Sequence, residues 1–247
     1  MAGPSSPAPA SGGPVDPALI EDLVAASRIL AAEGVLDGYG HVSMRHPGHA
    51  ERYLMSRSLA PALVTADDIM ELDLESNPVD ARGRTMFRER FIHGMIFNAR
   101  PDVMAVVHSH SPAVIPFGIT QVPMQPTFHM AAFLYRQPPV FEIRDVAGWT
   151  NMLITSNQLG AALADTLGDN PVALMRGHGN VVVGPSLPIA VFRAIYTEVN
   201  ARLQTTALGL GGPVNYISPE EGDIITNKQP GDVDRAWNLW KTKALGK

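Results

Sequence analysis

From residue 17 to 34 the chain reads P-A-L-I-E-D-L-V-A-A-S-R-I-L-A-A-E-G, with apolar residues returning at helical spacing. That period predicts an amphipathic helix. Asp16 is placed to cap its start, Pro17 suits the first helical position and Gly34 its end. A second helical pattern, R-T-M-F-R-E-R-F-I-H-G-M-I-F-N-A, covers 84–99 and stops at Arg100-Pro101, because a residue before proline is pushed out of the helical region. Further helices are expected over 157–168, ending at Gly168, over 186–208, and briefly around 235–241. Ser111–Gly118 starts a short helix that soon breaks. Between these the pattern turns β-like at 38–47 after a glycine-rich entry, at 52–56, at 103–110 and at 139–143. Residues 65–73 read as a turn capped by Thr65 leading into a strand, and 172–184 as strand, tight turn, strand. Helices and strands alternate without a linker or internal repeat, which predicts one α/β domain with helices on both faces of a sheet.

Composition removes several function classes. The formal charge is −5 with acids and bases interspersed and no Lys/Arg run, so no nucleic-acid partner is expected. There is no cysteine, which excludes disulfides, thiolate nucleophiles and cysteine-ligated zinc and suits a reducing cytoplasm. The four lysines, Lys228, Lys241, Lys243 and Lys247, all lie in the tail, where Schiff-base chemistry has no desolvated pocket to use. No thiamine or pyridoxal motif is seen, so no organic cofactor is expected. The N-terminus has no basic region followed by an apolar one; residues 1–16, rich in Pro, Gly, Ser and Ala, read as a disordered leader. Residues 103–135 carry no Asp, Glu, Lys or Arg. Three histidines and four prolines interrupt that window, so it reads as buried strands and loops rather than a membrane span.

Chemistry concentrates in V-V-H-S-H-S-P, residues 106–112. On a strand, residues i and i+2 share a face, so His108 and His110 project together toward one metal ion. His178, in R-G-H-G, is the candidate third ligand, because flanking glycines let the backbone turn tightly. Three histidines leave positions open for substrate, the pattern of a catalytic metal. The alternative is a set of packed, hydrogen-bonded structural histidines. His41, His93 and His129 read either as pocket-lining or as packed residues, and His46 and His49 as solvated.

A-V-V-H-S-H followed by R-G-H-G, with F-R-E-R-F-I-H-G-M-I-F-N-A-R-P-D just ahead of them, resembles the class II aldolase/adducin family over roughly residues 19–210. The resemblance implies a single three-layer αβα domain with a mixed, largely antiparallel central sheet. It spans 17–215, with 216–247 as a C-terminal extension at a subunit interface. It implies a homotetramer, a divalent metal (Mn, Zn, Fe or Co) on His108, His110 and His178, and Glu89 as acid/base. From the residues alone, Glu89 reads rather as a surface carboxylate paired with Arg88 or Arg90. Tyr216, Arg235 and Trp237 are the tail residues expected to reach a neighbouring pocket.

Two loops depart from the family's sugar-phosphate aldolases. G-Y-G-H-V-S-M-R places His41 where asparagine is usual, and M-S-R-S (55–58) places Arg57 where small phosphate donors are usual. A guanidinium suits a bidentate carboxylate contact, with Arg45 in support. Together with V-I-P-F-G, these stretches resemble the family's decarboxylases of hydroxy-aromatic acids. That resemblance implies non-oxidative, metal-dependent decarboxylation of a hydroxy-substituted aromatic or ring-cleavage carboxylate in a catabolic pathway. It makes Glu89, His41 and His129 the catalytic candidates and Arg45, Ser56, Arg57 and Tyr196 the substrate contacts. The alternatives are a retro-aldol lyase on a non-phosphorylated hydroxy or keto acid, and a non-catalytic adducin-like scaffold.

Overall fold

The structure is a computed structural model that describes residues 8–228 and 230–246, without the side chains of 227–232. The chain runs α1 (Pro17–Ala32), β1 (His41–Arg45), β2 (Arg52–Ser56), β3 (Ile69–Asp73), α2 (Arg90–Ala99), β4 (Ala105–Ser109), α3 (Ile115–Ile119), β5 (Val140–Phe141), α4 (Arg144–Ala147), α5 (Asn157–Leu167), β6 (Val172–Met175), β7 (Gly179–Gly184), α6 (Leu187–Gly209), α7 (Pro219–Lys228) and α8 (Pro230–Leu245). The strands form one sheet in the order β3-β2-β1-β4-β7-β6-β5. Among the described residues only β5 and β6 pair in parallel. The expected three-layer α/β fold with a mixed, largely antiparallel sheet is the one observed.

Strand alternation builds the two cores. Val42 and Met44 of β1 and Val107 of β4 turn toward α1, α6 and α8, where they meet Leu23, Leu30 and Val191. Val106 of β4 and Val181 and Val183 of β7 turn to the other face, against Ile92 and Ile96 of α2 and Leu163 of α5. Each large side chain buried this way contributes about 1.5–3 kcal/mol. Asp16 caps α1 by accepting from the Ala18 N–H, and Ser186 caps α6 by accepting from the Ile189 N–H. Thr65 takes part in a capping box before β3, as expected of a cap there.

Two expectations about secondary structure are corrected. The helix predicted over 84–99 begins only at Arg90. Its first residues are held out of helical geometry: the Thr85 carbonyl accepts from the Ser58 N–H, and the Arg84 guanidinium bonds the Asp67 and Ile69 carbonyls. The glycine- and proline-punctuated stretches hide two helices, α4 and α7, and a 3-10 turn at His129–Leu134. Of the expected leader, residues 1–7 lie outside the described residues; beyond them the Ala10 carbonyl accepts from Arg52 and Ser11 donates to Glu71 at 2.7 Å.

The C-terminal segment folds back on its own chain. Trp237 and Trp240 are buried in the α1/α6 core, and Lys241 Nζ lies 2.6 Å from Asp22 Oδ1 on α1. Trp237, expected to reach a neighbour, is therefore a core residue here. Tyr196, expected at the substrate, packs on α6 against Phe192 and Trp240, with ring centroids 4.6 and 6.3 Å away.

Arg45 is likewise diverted from substrate. Its guanidinium is buried at the far end of β1 from His41 and donates to the carbonyls of Ala50, Phe97, Val103 and Arg100. The Phe97 and Arg100 carbonyls belong to the end of α2, where a helix leaves its acceptors unmet. Arg45 thus staples α2 to β1. Arg45→Ala should lower stability by about 3 kcal/mol in urea unfolding while the folded fraction keeps its KM. A raised KM with unchanged stability would return Arg45 to the substrate.

Candidate functional site

The three central strands bring the histidines to one end of the sheet. The register pairs His41 on β1 with His108 on β4, and Ser109 on β4 with Asn180 on β7. His110 follows the end of β4, and His178 occupies the tight turn between β6 and β7, where Gly177 has φ 62°. That turn presses close on β4: a Cβ at Gly179 would overlap the Ser109 carbonyl oxygen. Only glycine lets His178 approach His110 so nearly. The result is a compact cluster of Glu89, His108, His110 and His178, one ligand atom from each, all within 4.8 Å of one another.

Backbone carbonyls orient two of the rings. His108 Nδ1–H donates to the Asn180 carbonyl at 3.1 Å, and His178 Nδ1–H to the Met152 carbonyl at 3.1 Å. A carbonyl can only accept, so both Nε2 atoms turn lone pairs inward. This is how metal-binding imidazoles are held. Among the described residues the buried His108 Nε2 has no hydrogen-bond partner. The two Nε2 atoms of His110 and His178 stand 3.1 Å apart. Glu89 Oε2 faces His108 Nε2 at 3.7 Å and His178 Nε2 at 3.5 Å. Lone pairs and a carboxylate converging in a buried space repel one another until a cation or protons occupy the space. The donor set therefore fits a divalent metal.

Glu89 is placed by the corrected start of α2. It stands at the N-cap position, where the helix dipole favours a carboxylate. Its Oε1 accepts from the Ile154 N–H at 2.9 Å, leaving Oε2 for the cluster. Burial by itself pushes its pKa up. The facing His108 and His178 rings outweigh this and hold the carboxyl far below the usual range. Burial, then His108 and His178, lower the His110 pKa to about 4.

A cavity of about 650 Å³ opens beside the cluster. Tyr39, His41, Leu59, Phe87 and Leu153 wall it together with Glu89 and His110, and Arg88 is exposed at its rim. Of the residues expected from sequence, the structure brings together His41, Glu89, His108, His110 and His178. Arg57 is taken up elsewhere: its Nε bonds Asp68 Oδ1 at 2.6 Å, which fixes the turn before β3. Ser56 is buried in β2 opposite Ile69, and the neighbouring Ser58 lines the cavity instead. His129 is exposed beside Phe128 and is not part of this chain's cavity wall. Sequence reasoning missed Arg88, Tyr39, Phe87 and Leu153. The helix pattern drawn through 84–99 hid the first of these, since it set Arg88 on a solvated face.

Behind His41 lies a polar row. His41, Ser43 and Arg45 alternate on one face of β1, and His93 of α2 bridges the first two. Burial, then the charge of His108, lowers the His93 pKa to about 3. Folding thus keeps neutral a group that the unfolded chain protonates below about pH 6.5. The stability it confers is present above that pH and drains away as pH falls toward 3. At about pH 5.5 His93 alone should account for a loss of about 1.4 kcal/mol relative to about pH 7.5. In urea unfolding at the two pH values, His93→Gln should shrink the wild-type difference by that amount. An unchanged difference would show that His93 is not the titrating group.

Comparison with known proteins agrees with this geometry. Residues 21–205 match the Class II Aldolase and Adducin N-terminal domain. The chain is 37% identical to the decarboxylase tropJ of Talaromyces stipitatus, over 90% of this chain and 92% of that one. It is 31% identical to the 3,4-dihydroxyphthalate decarboxylase of Arthrobacter keyseri, over 80% and 82%. Among solved structures, an aldolase II superfamily protein from Pseudomonas syringae superposes with a TM-score of 0.78 at 23% identity, covering 93% of this chain and 94% of that one. The L-fuculose 1-phosphate aldolase of Glaciozyma antarctica does so at 0.75 and 23%, covering 97% and 92%. These two establish the shared fold. The chain belongs to the class II aldolase/adducin family, alongside that family's decarboxylases.

Proposed function

We propose that the protein is a divalent-metal-dependent, non-oxidative decarboxylase of a hydroxy-substituted aromatic carboxylic acid. The observation that carries this reading is the cavity's composition. A four-donor cluster stands at its floor, aromatic and aliphatic side chains wall it, and Arg88 at its rim makes no ion pair or hydrogen bond among the described residues. Such a cavity is of ligand size and offers an aromatic ring flat apolar walls and its carboxylate a cation. The names of the tropJ and dihydroxyphthalate relatives support the same chemistry. On this reading the enzyme is a cytoplasmic homotetramer that serves the breakdown of aromatic compounds.

His108, His110 and His178, with Glu89 beside them, would hold the metal. When bound, it supplies Lewis-acid polarisation of a substrate hydroxyl and carboxylate oxygen. Glu89, ionised and fixed through Oε1, takes the proton of the substrate hydroxyl at Oε2. It returns that proton to the ring carbon that bears the carboxylate. The bond from this carbon to the carboxylate then breaks. Its electron pair restores the aromatic ring, the substrate oxygen is left as a phenolate that solvent protonates, and CO2 departs. Tyr39, Phe87 and Leu153 shield the ring from water, and Arg88 pairs with a second carboxylate where the substrate has one.

Metal-loaded protein should release CO2 from hydroxy-aromatic acids and stop when chelated. His108→Ala should lose bound metal, by elemental analysis, together with activity. Cleavage of a hydroxy acid to an aldehyde without CO2 would instead establish the retro-aldol lyase. Glu89→Gln should lower kcat by roughly 10²–10⁴-fold. Arg88→Gln should raise KM for a hydroxy-aromatic dicarboxylate by about tenfold or more and leave a monocarboxylate nearly unchanged. Equal effects on both would remove Arg88 from carboxylate recognition.

A further inference from the structure

Three buried polar side chains stand in line behind the cavity. Ser43 Oγ lies 2.6 Å from His93 Nδ1, and His93 Nε2 lies 2.6 Å from His41 Nδ1. Ser43 and His93 are fully buried and His41 nearly so. At that separation each pair shares one proton, since two would clash and none would set lone pair against lone pair.

Two neutral arrangements satisfy this rule. In one, the Ser43 hydroxyl donates to His93 Nδ1, and His93 Nε2–H donates to His41 Nδ1. The remaining hydrogen of His41 is then on Nε2. In the other, every bond is reversed. His41 Nε2 becomes a lone pair, and the Ser43 O–H must find another acceptor. Among the described residues Ser43 Oγ has no hydrogen bond other than that to His93, so reversal strands a buried donor, which is costly. The first arrangement leaves nothing unmet. It also offers no lone pair for an extra proton, because both Nδ1 atoms are occupied as acceptors.

We infer that His93 and Ser43 are positioning residues that fix His41 as a neutral ring with Nε2–H free at the cavity, a hydrogen-bond donor to an oxygen of the carboxylate substrate. His41 lines the cavity beside Glu89. Its donor complements the negative charge that the substrate oxygens carry and gain in the reaction. Proton transfer to carbon is left to Glu89. The identity of the substrate rests on the decarboxylase reading, whereas the tautomer does not.

The test combines spectroscopy with kinetics. In full-length, zinc-loaded protein with 15N-labelled histidine, long-range proton–nitrogen correlation reports which ring nitrogen carries the proton. The His41→Gln variant assigns the His41 signals. Wild type should show the Nε2–H form. His93→Gln, whose side-chain amide can still donate to His41 Nδ1, should keep that form and hold kcat within about threefold of wild type. His93→Met, similar in size but without a donor, should lose the fixed tautomer. It should lower kcat by roughly tenfold or more with KM little changed. A His41 ring in wild type that is Nδ1–H or doubly protonated would overturn the inference. So would a His93→Met protein with the wild-type tautomer, or one with wild-type kcat. If wild type decarboxylates none of the acids offered, the decarboxylase reading fails and the tautomer measurement still decides this one.

Discussion

Electrostatic repulsion among four ligand atoms is the constraint around which the rest of the structure is arranged. Glu89 Oε2 and the imidazoles of His108, His110 and His178 converge in a buried space, and the outer nitrogens of two rings are already committed to carbonyls. A chain does not assemble such a cluster for stability, because an unfilled one opposes folding. Such a donor set could hold a metal ion. The surrounding fold reads as the means of holding these groups against their own repulsion. The sheet order places β4 between β1 and β7. The ligand-bearing β4 and the β6–β7 turn thus take their shape from the best-buried strands rather than from mobile loops.

The segment before α5 serves the same purpose. Within three residues it offers the Met152 carbonyl to His178, the Leu153 side chain to the cavity and the Ile154 N–H to Glu89. Met152 holds φ at 68°, a conformation that costs a non-glycine residue of order 1–3 kcal/mol. That strain is repaid by two hydrogen bonds that aim a ligand and a carboxylate at one point. The same segment carries Trp149, almost wholly exposed.

Sequence carried the fold well wherever periodicity and caps agreed. The capped start of α1, the length of α6, the strands on either side of His178 and the H-x-H strand were all legible. They lie where local preference and tertiary packing point the same way. The misses have a common cause. At 84–89 the apolar spacing is helical, yet pairing of Thr85 with Ser58 holds the backbone out of the helix. Periodicity cannot register a long-range hydrogen bond. The arginines were misjudged for a related reason. Arg45 and Arg57 looked available because sequence shows charge and not partners; four carbonyls and one aspartate had already claimed them. Arg88 looked like a solvated helix residue until the helix was found to begin two residues later.

Fold and metal ligands cannot by themselves choose between aldol cleavage and decarboxylation, since both reactions stabilise electrons left beside an oxygen. The choice falls to the cavity wall. A sugar phosphate asks for several small donors and backbone N–H groups around its dianion. Here the corresponding loop, 55–58, buries Ser56 in the sheet and commits Arg57 to Asp68, so it has little left to offer a phosphate. The opposite wall brings Phe87 and Tyr39, faces that suit a flat ring, with Arg88 nearby for a carboxylate. Where asparagine is usual, His41 puts a ring whose far side is tied to His93, a rigid donor in place of a flexible amide. The departures from the aldolase pattern are thus linked: each removes a phosphate contact or adds one suited to an aromatic acid, while the cluster of Glu89, His108, His110 and His178 is left intact.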